Sequence, residues 1–439
     1  MDPDSWDSSS PRISTYGLNR RNVVKSMLFA GGALAFNGYG RSTQAVAQDK
    51  IRLSQWYHEY GEAGTEQAVQ KYAQDYMASP EGANVELEVV WNKGDYGAIL
   101  SAALLTNEGP DVFEQGVPTL DQVKQNQIVP LDDLYTPEVK GDFNPINLAA
   151  GTIDGKIYYV KMVDDTGALY YKKSLLEEAG ITPPSTIDEL IAATKTLGTG
   201  RTKGLFVGND AGIGALGGLQ VFSAGAQFLT EDNKPGFNTP EVAAALAKLK
   251  ELNDTGALLQ GFPTDYWDPS AFIQGATAMQ WTGLWAFPAI NEAVGGDLGV
   301  LPWPSAGGAN GTPSTFFGGW GQCVNGKRPN VEAAKALVKW LWIDNTEVQQ
   351  DWNLSYGFHV PPRISAAQAA TQLQSGPASE IVGFLTEYGK TTTPYWTAAM
   401  GTAFGDAVTN IVRNGADPVA ELTNAEKLVQ TELDRLLGA

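Results

Sequence analysis

Cysteine is nearly absent, with Cys323 the only one in 439 residues. No intrachain disulfide can form, and no cysteine cluster can hold a metal. Histidine is almost as scarce. His58 and His359 are the only two, so a histidine-rich metal centre is excluded and no metal site is expected. A nucleophilic triad would have to be built on one of these two imidazoles. Basic residues are outnumbered, 30 Lys and Arg against 49 Asp and Glu, for a formal charge of −19. Such a chain is a poor partner for nucleic acid or an anionic membrane surface. The apolar run Met27–Phe36 is too short to span a bilayer, which takes about 20 residues. The patterns G-x-S-x-G, G-x-x-x-x-G-K-[ST] and H-E-x-x-H do not occur, so the usual sequence signs of a hydrolase elbow, a phosphate loop or a zinc protease are missing. No cofactor is expected.

Aromatic residues are plentiful, with 12 Trp and 16 Tyr. Their flat faces suit sugar rings and other apolar planes, and they serve equally well as core. Hydrophobic residues make up 43% and charged residues 18%, a globular composition. A chain of this length exceeds one ordinary core, so two lobes are expected.

The N-terminus carries three signals in order. Arg20-Arg21 precedes Lys25, the apolar run follows, and Ala45-Val46-Ala47 offers a small-residue cleavage site. This order predicts a signal peptide over 1–47, of twin-arginine (Tat) type, with cleavage after Ala47. No cysteine stands between the apolar run and the cleavage site, so the exported chain is expected free in the periplasm and not lipid-anchored.

From there strands and helices alternate, which predicts an α/β architecture. Lys50–Trp56 reads as a half-buried strand and Glu66–Met77 as a helix with Ala68, Val69, Tyr72, Ala73 and Tyr76 on one face. Val85–Val90 and Asp111–Glu114 read as further strands. Lys156–Val160 and Ala168–Tyr171 read as two strands flanking Asp164, Asp165 and Thr166. Thr186 with Glu189 forms a capping box, so a helix starts at Ile187. Pro240–Asp254, Val331–Asp344 and Pro418–Leu437 read as helices, and Cys323 falls inside a strand as a buried thiol.

Ligands gather at the carboxyl ends of strands in open α/β sheets, which makes His58 and Glu59 candidates beside an ordinary loop reading. Unpaired carboxylates are costly to bury. Asp165 is therefore expected at a solvated turn, a domain joint or a ligand site. The two glycines of Gly318-Gly319-Trp320 let a backbone approach a ligand closely.

Several stretches carry a resemblance. Gly155, Lys156 and Tyr158, then Tyr170, Tyr171, Lys173, Leu175, Ala179 and Gly180, then Pro184, Thr186, Glu189 and Leu190 resemble the middle signature of the extracellular solute-binding proteins, family 1, of sugar ABC transporters. That signature reads G-K-x-Y-x-x-P, then Y-Y-N-K-x-L-x-x-x-A-G, then P-x-T-x-x-E-L. Lys161 stands where the family usually has Pro, and Lys172 where it has Asn. Gly109-Pro110-Asp111-Val112, Pro130-Leu131-Asp132-Asp133, Phe272 to Met279 and Pro361-Pro362-Arg363 extend the likeness over most of 50–439.

The resemblance implies the two-lobed periplasmic binding protein type II fold, with hinge crossings and a ligand cleft between the lobes. It places one lobe at 48–163 plus 297–358 and the other at 166–296 plus 360–439, with hinges near 164–165, 296–297 and 359. It implies a sugar-binding transport protein, not an enzyme, working as a monomer with ABC permease subunits in the membrane. It puts Trp285, Trp320 and Trp267 on sugar faces, with Trp281 and Trp396 as further aromatic contacts. His58, Glu59, Gln115, Asp165, Asp268, Gly319 and Arg363 are the expected polar and backbone contacts.

Two other readings fit the same residues. A glycoside hydrolase needs two carboxylates, which Glu59, Asp165 and Asp268 could supply. Acids with Trp faces could also box a cation such as a polyamine.

Overall fold

The computed structural model describes residues 50–198 and 200–438. The signal expected at 1–47 lies outside them. The strands that position the site are β1 (Ile51–His58), β2 (Val85–Asn92), β3 (Val112–Gln115), β4 (Val160–Lys161), β5 (Gly167–Lys172), β6 (Lys203–Phe206), β7 (Thr277–Gly283), β8 (Leu298–Leu301) and β9 (Gly321–Val324).

They form two sheets. The first runs β2-β1-β3-β9-β4 and the second β8-β5-β7-β6. In the first, β1 lies parallel to β2 and β3, and β9 runs antiparallel to β3 with Gly321 opposite Gln115. Gly321 also faces Lys161 of β4. This register brings the carboxyl end of β3, the start of β9 and the end of β4 to one edge. In the second sheet β5 and β7 are antiparallel, with Gly167 opposite Gly283. Both strands are almost wholly buried, which fits their continuous apolar and aromatic sequence.

Local rules hold where the pattern is strong. Thr65–Ala78 is a helix burying Ala68, Val69, Tyr72, Ala73 and Tyr76. The Thr186–Glu189 capping box is made in both directions. Cys323 is buried in β9. Two expected elements come out divided. Lys156–Ile157 pairs with Thr152–Ile153 as a hairpin, while Val160–Lys161 joins the first sheet. The helix expected over 331–344 is regular through Lys339 and then widens into a π turn over Trp340–Asp344.

Residues 162–166 carry the chain from the first sheet to the second. They are paired on both sides, Asp164 with Val360 and Asp165 with Gly318. The passages expected near 164–165 and 359 therefore run side by side. The one expected at 296–297 does not change sheets, because Leu298–Leu301 pairs with β5. The chain returns to the first sheet through Gly318–Gly321, a shift imposed by strand pairing that hydropathy does not reveal. No helix among the described residues is long and apolar enough to cross a membrane.

Candidate functional site

A cavity of about 660 Å³ lies between the edge of the first sheet and two helices, 213–223 and 398–414. Gly116, Lys161, Gly318 and Gly319 line it from the side of the first sheet and the crossing strands. Opposite them stand the Ile213–Ser223 helix, through Gly214, Gly217 and Gly218, and the Ala398–Asn414 helix, through Gly401, Phe404 and Gly405. Glycine is obligatory at 319. Its φ is +93°, and a Cβ there would lie 2.1 Å from the Val163 carbonyl oxygen.

The apolar wall is an aromatic cluster. Phe228 sits 4.5 Å from Trp396, 5.1 Å from Phe404 and 5.5 Å from Phe222, centroid to centroid. Phe316 and Phe317 add to it from the segment before Gly318. Faces and edges at these spacings suit a ring-shaped ligand with apolar faces.

The polar lining is sparse. Lys161 is 4% exposed and its Nζ donates to the Gly318 carbonyl at 2.8 Å. Asp164 Oδ1 lies 3.8 Å from that ammonium, and Asp164 Oδ2 accepts from Asn147 Nδ2 at 2.8 Å. Burial pushes the Asp164 carboxyl up to about 7, against the opposing pull of Lys161 and Asn147. Burial also lowers Lys161, partly offset by Asp164 and Asp165. Asn147 Oδ1 has no hydrogen-bond partner. Asp210, the one carboxylate in the lining, accepts the backbone N–H groups of Gly212 and Gly214 at 2.9 and 2.7 Å. Lys390 lies at the exposed margin.

A second polar cluster holds the crossings. His359 is buried between Asp165 Oδ1, 2.5 Å from Nδ1, and Glu62 Oε1, 3.1 Å from Nε2. Burial opposes a charge on His359, but the two carboxylates outweigh it and raise the imidazole to about 10. Glu62 is lowered: burial acts against ionisation, and the His359 hydrogen bond and charge overcome it. Beside them His58 stacks on Trp320 at 4.3 Å and lies 3.9 Å from Tyr60. The buried Glu114 carboxylate accepts from Tyr60 Oη at 2.8 Å and lies 2.5 Å from His58 Nδ1.

The expected site residues divide accordingly. Gly319 and Trp396 line the cavity. Gln115 precedes the lining Gly116, with its amide bonded to Gln122 in both directions. Trp320 and His58 pack on each other one residue beyond Gly319. Asp165 pairs with Gly318 through the backbone and gives its carboxylate to His359. Trp285 covers Gly283, donates to the Trp267 carbonyl at 2.9 Å, and stands 6.3 Å from the lining Phe316.

Five residues lie elsewhere. Trp281 is fully buried in β7 and packs edge-on against Trp303 at 5.7 Å, so it is core. Arg363 is held by Asp142 at 2.7 Å and by the Ile343 carbonyl. Glu59 is exposed beside Lys93. Asp268 accepts the Ser270 N–H at the start of a short helix, and the Trp267 side chain is half-exposed. Sequence reasoning missed Phe222, Phe228, Phe404, Asn147 and Asp210. It noted Lys161 only as a departure from a motif, and that departure was the available signal.

The three acids required by the hydrolase reading do not converge. Glu59 pairs with a lysine, Asp165 with a histidine and Asp268 with a backbone amide, and none lines the cavity. Among the described residues no group of three or more His, Cys, Asp or Glu side chains could hold a metal.

Known proteins resemble this chain in sequence and in shape. A protein of Brucella abortus named as a binding protein is 32% identical over 155 residues, covering 32% of this chain and 36% of its own length. The chain thus spans about a third of the length of the first curated relatives it matches. The maltotriose-binding protein of Pyrococcus abyssi is 23% identical over 322 residues, 72% of this chain and 68% of that one. An ABC transporter solute-binding protein from Thermotoga lettingae, bound with α-D-tagatose, superposes with a TM-score of 0.73 at 21% identity, covering 88% of this chain and all of that one. The fold is the two-lobed α/β fold of periplasmic binding proteins. Residues 67–380 match the family described as bacterial extracellular solute-binding protein, and the chain belongs to that family.

Proposed function

We propose that this protein is the exported substrate-binding component of an ABC importer and that it captures a sugar by closing one lobe on the other. One lobe is built on the first sheet, the other on the second, and the hinge is the paired set of passages at 162–166, 318–320 and 359–360. The observation that carries the reading is the cavity itself. It takes one wall from the first sheet and the crossing strands and the other from two helices, 213–223 and 398–414, with aromatic faces and bare glycine backbone in its lining. A ligand touching both walls binds the closed form better and shifts the population toward it. The relative named for maltotriose and the structural neighbour bound with α-D-tagatose support a sugar as the ligand. A micromolar Kd corresponds to about −8 kcal/mol, within reach of one stacked ring and a few charge-assisted hydrogen bonds.

The Tat-type signal, the free periplasmic state, the monomer and delivery to a membrane permease belong to the same proposal. Catalysis is disfavoured because the cavity offers one carboxylate, already bonded to two backbone amides. A polyamine is disfavoured for the same reason, and by the two lysines. The test is calorimetry with the purified protein against neutral and acidic mono- and oligosaccharides and spermidine, with assay for sugar turnover. Saturable sugar binding without turnover is the expected result. Turnover of a glycoside, or binding of spermidine alone, would overturn the reading.

A further inference from the structure

We infer that the ligand of this cavity is a sugar carrying an anionic group, and that Lys161 selects it; this rests on the sugar-binding reading above. An ammonium has three N–H donors. Lys161 uses one on the Gly318 carbonyl, and its nearest carboxylate, at 3.8 Å, is beyond hydrogen-bond reach. Asn147 takes the far oxygen of Asp164, Oδ2, while Oδ1, the one facing Lys161, has no hydrogen-bond partner. A side chain only 4% exposed therefore presents a cation with open donors in a cavity wall. Burying such a group is costly unless something completes it.

The sign of the cavity points the same way. The whole chain carries −19. The lining has Lys161 and Lys390 against Asp210 alone, that is 2 − 1 = +1, with Asp164 behind Lys161 at 3.8 Å. Asp210 is further engaged by the Gly212 and Gly214 amides. An acidic protein with a cationic cavity discriminates against neutral ligands by leaving Lys161 incomplete. An anionic oxygen within reach of Nζ completes it with a charge-assisted bond. Lys161 also replaces the proline that the family signature carries at this place, so the charge is a feature of this chain.

The anion can be a carboxylate, as in a uronic acid, or a phosphate. Calorimetry on the full protein distinguishes them with matched sets: glucose, glucuronate and glucose 6-phosphate; galactose, galacturonate and galactose 1-phosphate; and the disaccharides of galactose and galacturonate. At least one anionic member is expected to bind about tenfold or more tighter than its neutral partner. Lys161→Met should erase that preference, and Lys161→Arg should retain part of it. Neutral sugars binding as tightly as their anionic partners would overturn the inference and leave sugar binding intact. So would an anionic preference that survives in Lys161→Met. Binding of no sugar in any set would overturn both readings. The wild-type comparison decides the matter even if Lys161→Met does not fold.

Discussion

Lys161 and Asp165 are four residues apart and meet opposite fates. Asp165 is saturated, its carboxylate on His359 and its backbone on Gly318. Lys161, equally buried, has one hydrogen bond and stands in the cavity wall. The same contrast separates the two clusters they belong to. Around the crossings Glu62 and Asp165 share His359, and Glu114 holds His58 and Tyr60. Around the cavity the side chains are aromatic faces, bare glycines and an incompletely bonded cation. Saturated charge holds geometry, whereas open donors and faces remain available to a ligand. Of the acids singled out in the sequence, Asp165 is a structural tie through His359.

The sharpest way to break this contrast is at Gly319, where both regions meet. Gly319→Ala should cost about 3 kcal/mol or more, because the new Cβ strikes the Val163 carbonyl and the backbone sits at φ +93°; urea denaturation measures it. His359→Ala comes next. It leaves Asp165 and Glu62 buried together without their cation, a loss of about 3 kcal/mol, and its effect on intrinsic ligand contacts should be small because neither acid lines the cavity.

The same residue makes a pH prediction. His359 is raised from 6.5 to about 10. The stability it contributes is thus fully present below pH 6.5 and is lost as pH rises through 10. The wild-type melting temperature should fall on that alkaline limb, and His359→Gln should flatten the limb. A wild-type curve flat up to pH 10 would contradict the ion-paired cluster.

Trp396→Ala, on the cavity side, should weaken sugar binding by about 1–2 kcal/mol while leaving the alkaline limb unchanged. Calorimetry and a melting curve on the same sample test both halves. The smallest effect is expected at Glu59. Its exposed pairing with Lys93 predicts a change below about 0.5 kcal/mol in stability for Glu59→Gln, and no measurable change in affinity.

Legibility followed the range of the interaction. The Thr186 capping box, the amphipathic face of 65–78 and the alternation of β1 are set by residues a few positions apart, and each appears as read. At 164–165 polar residues interrupt two apolar strands, a break visible in the sequence, whereas 359 was expected only from the family resemblance. The return through Gly318–Gly321 was not legible. Leu298–Leu301 looks like a strand of either sheet, and only pairing with β5 decides between them. The tryptophans were the least legible, since an indole on a core strand and one on a ligand wall have the same composition. Trp281 is wholly buried while Trp396 faces the cavity.

By its sequence alone this chain declared an α/β architecture and its family. Those follow from composition, periodicity and local motifs. Only the tertiary structure decided which charges are spent and which are free. A carboxylate's role depends on what lies within about 3 Å of its oxygens, and for Asp165 and Glu62 that partner is His359, 194 and 297 residues further along the chain.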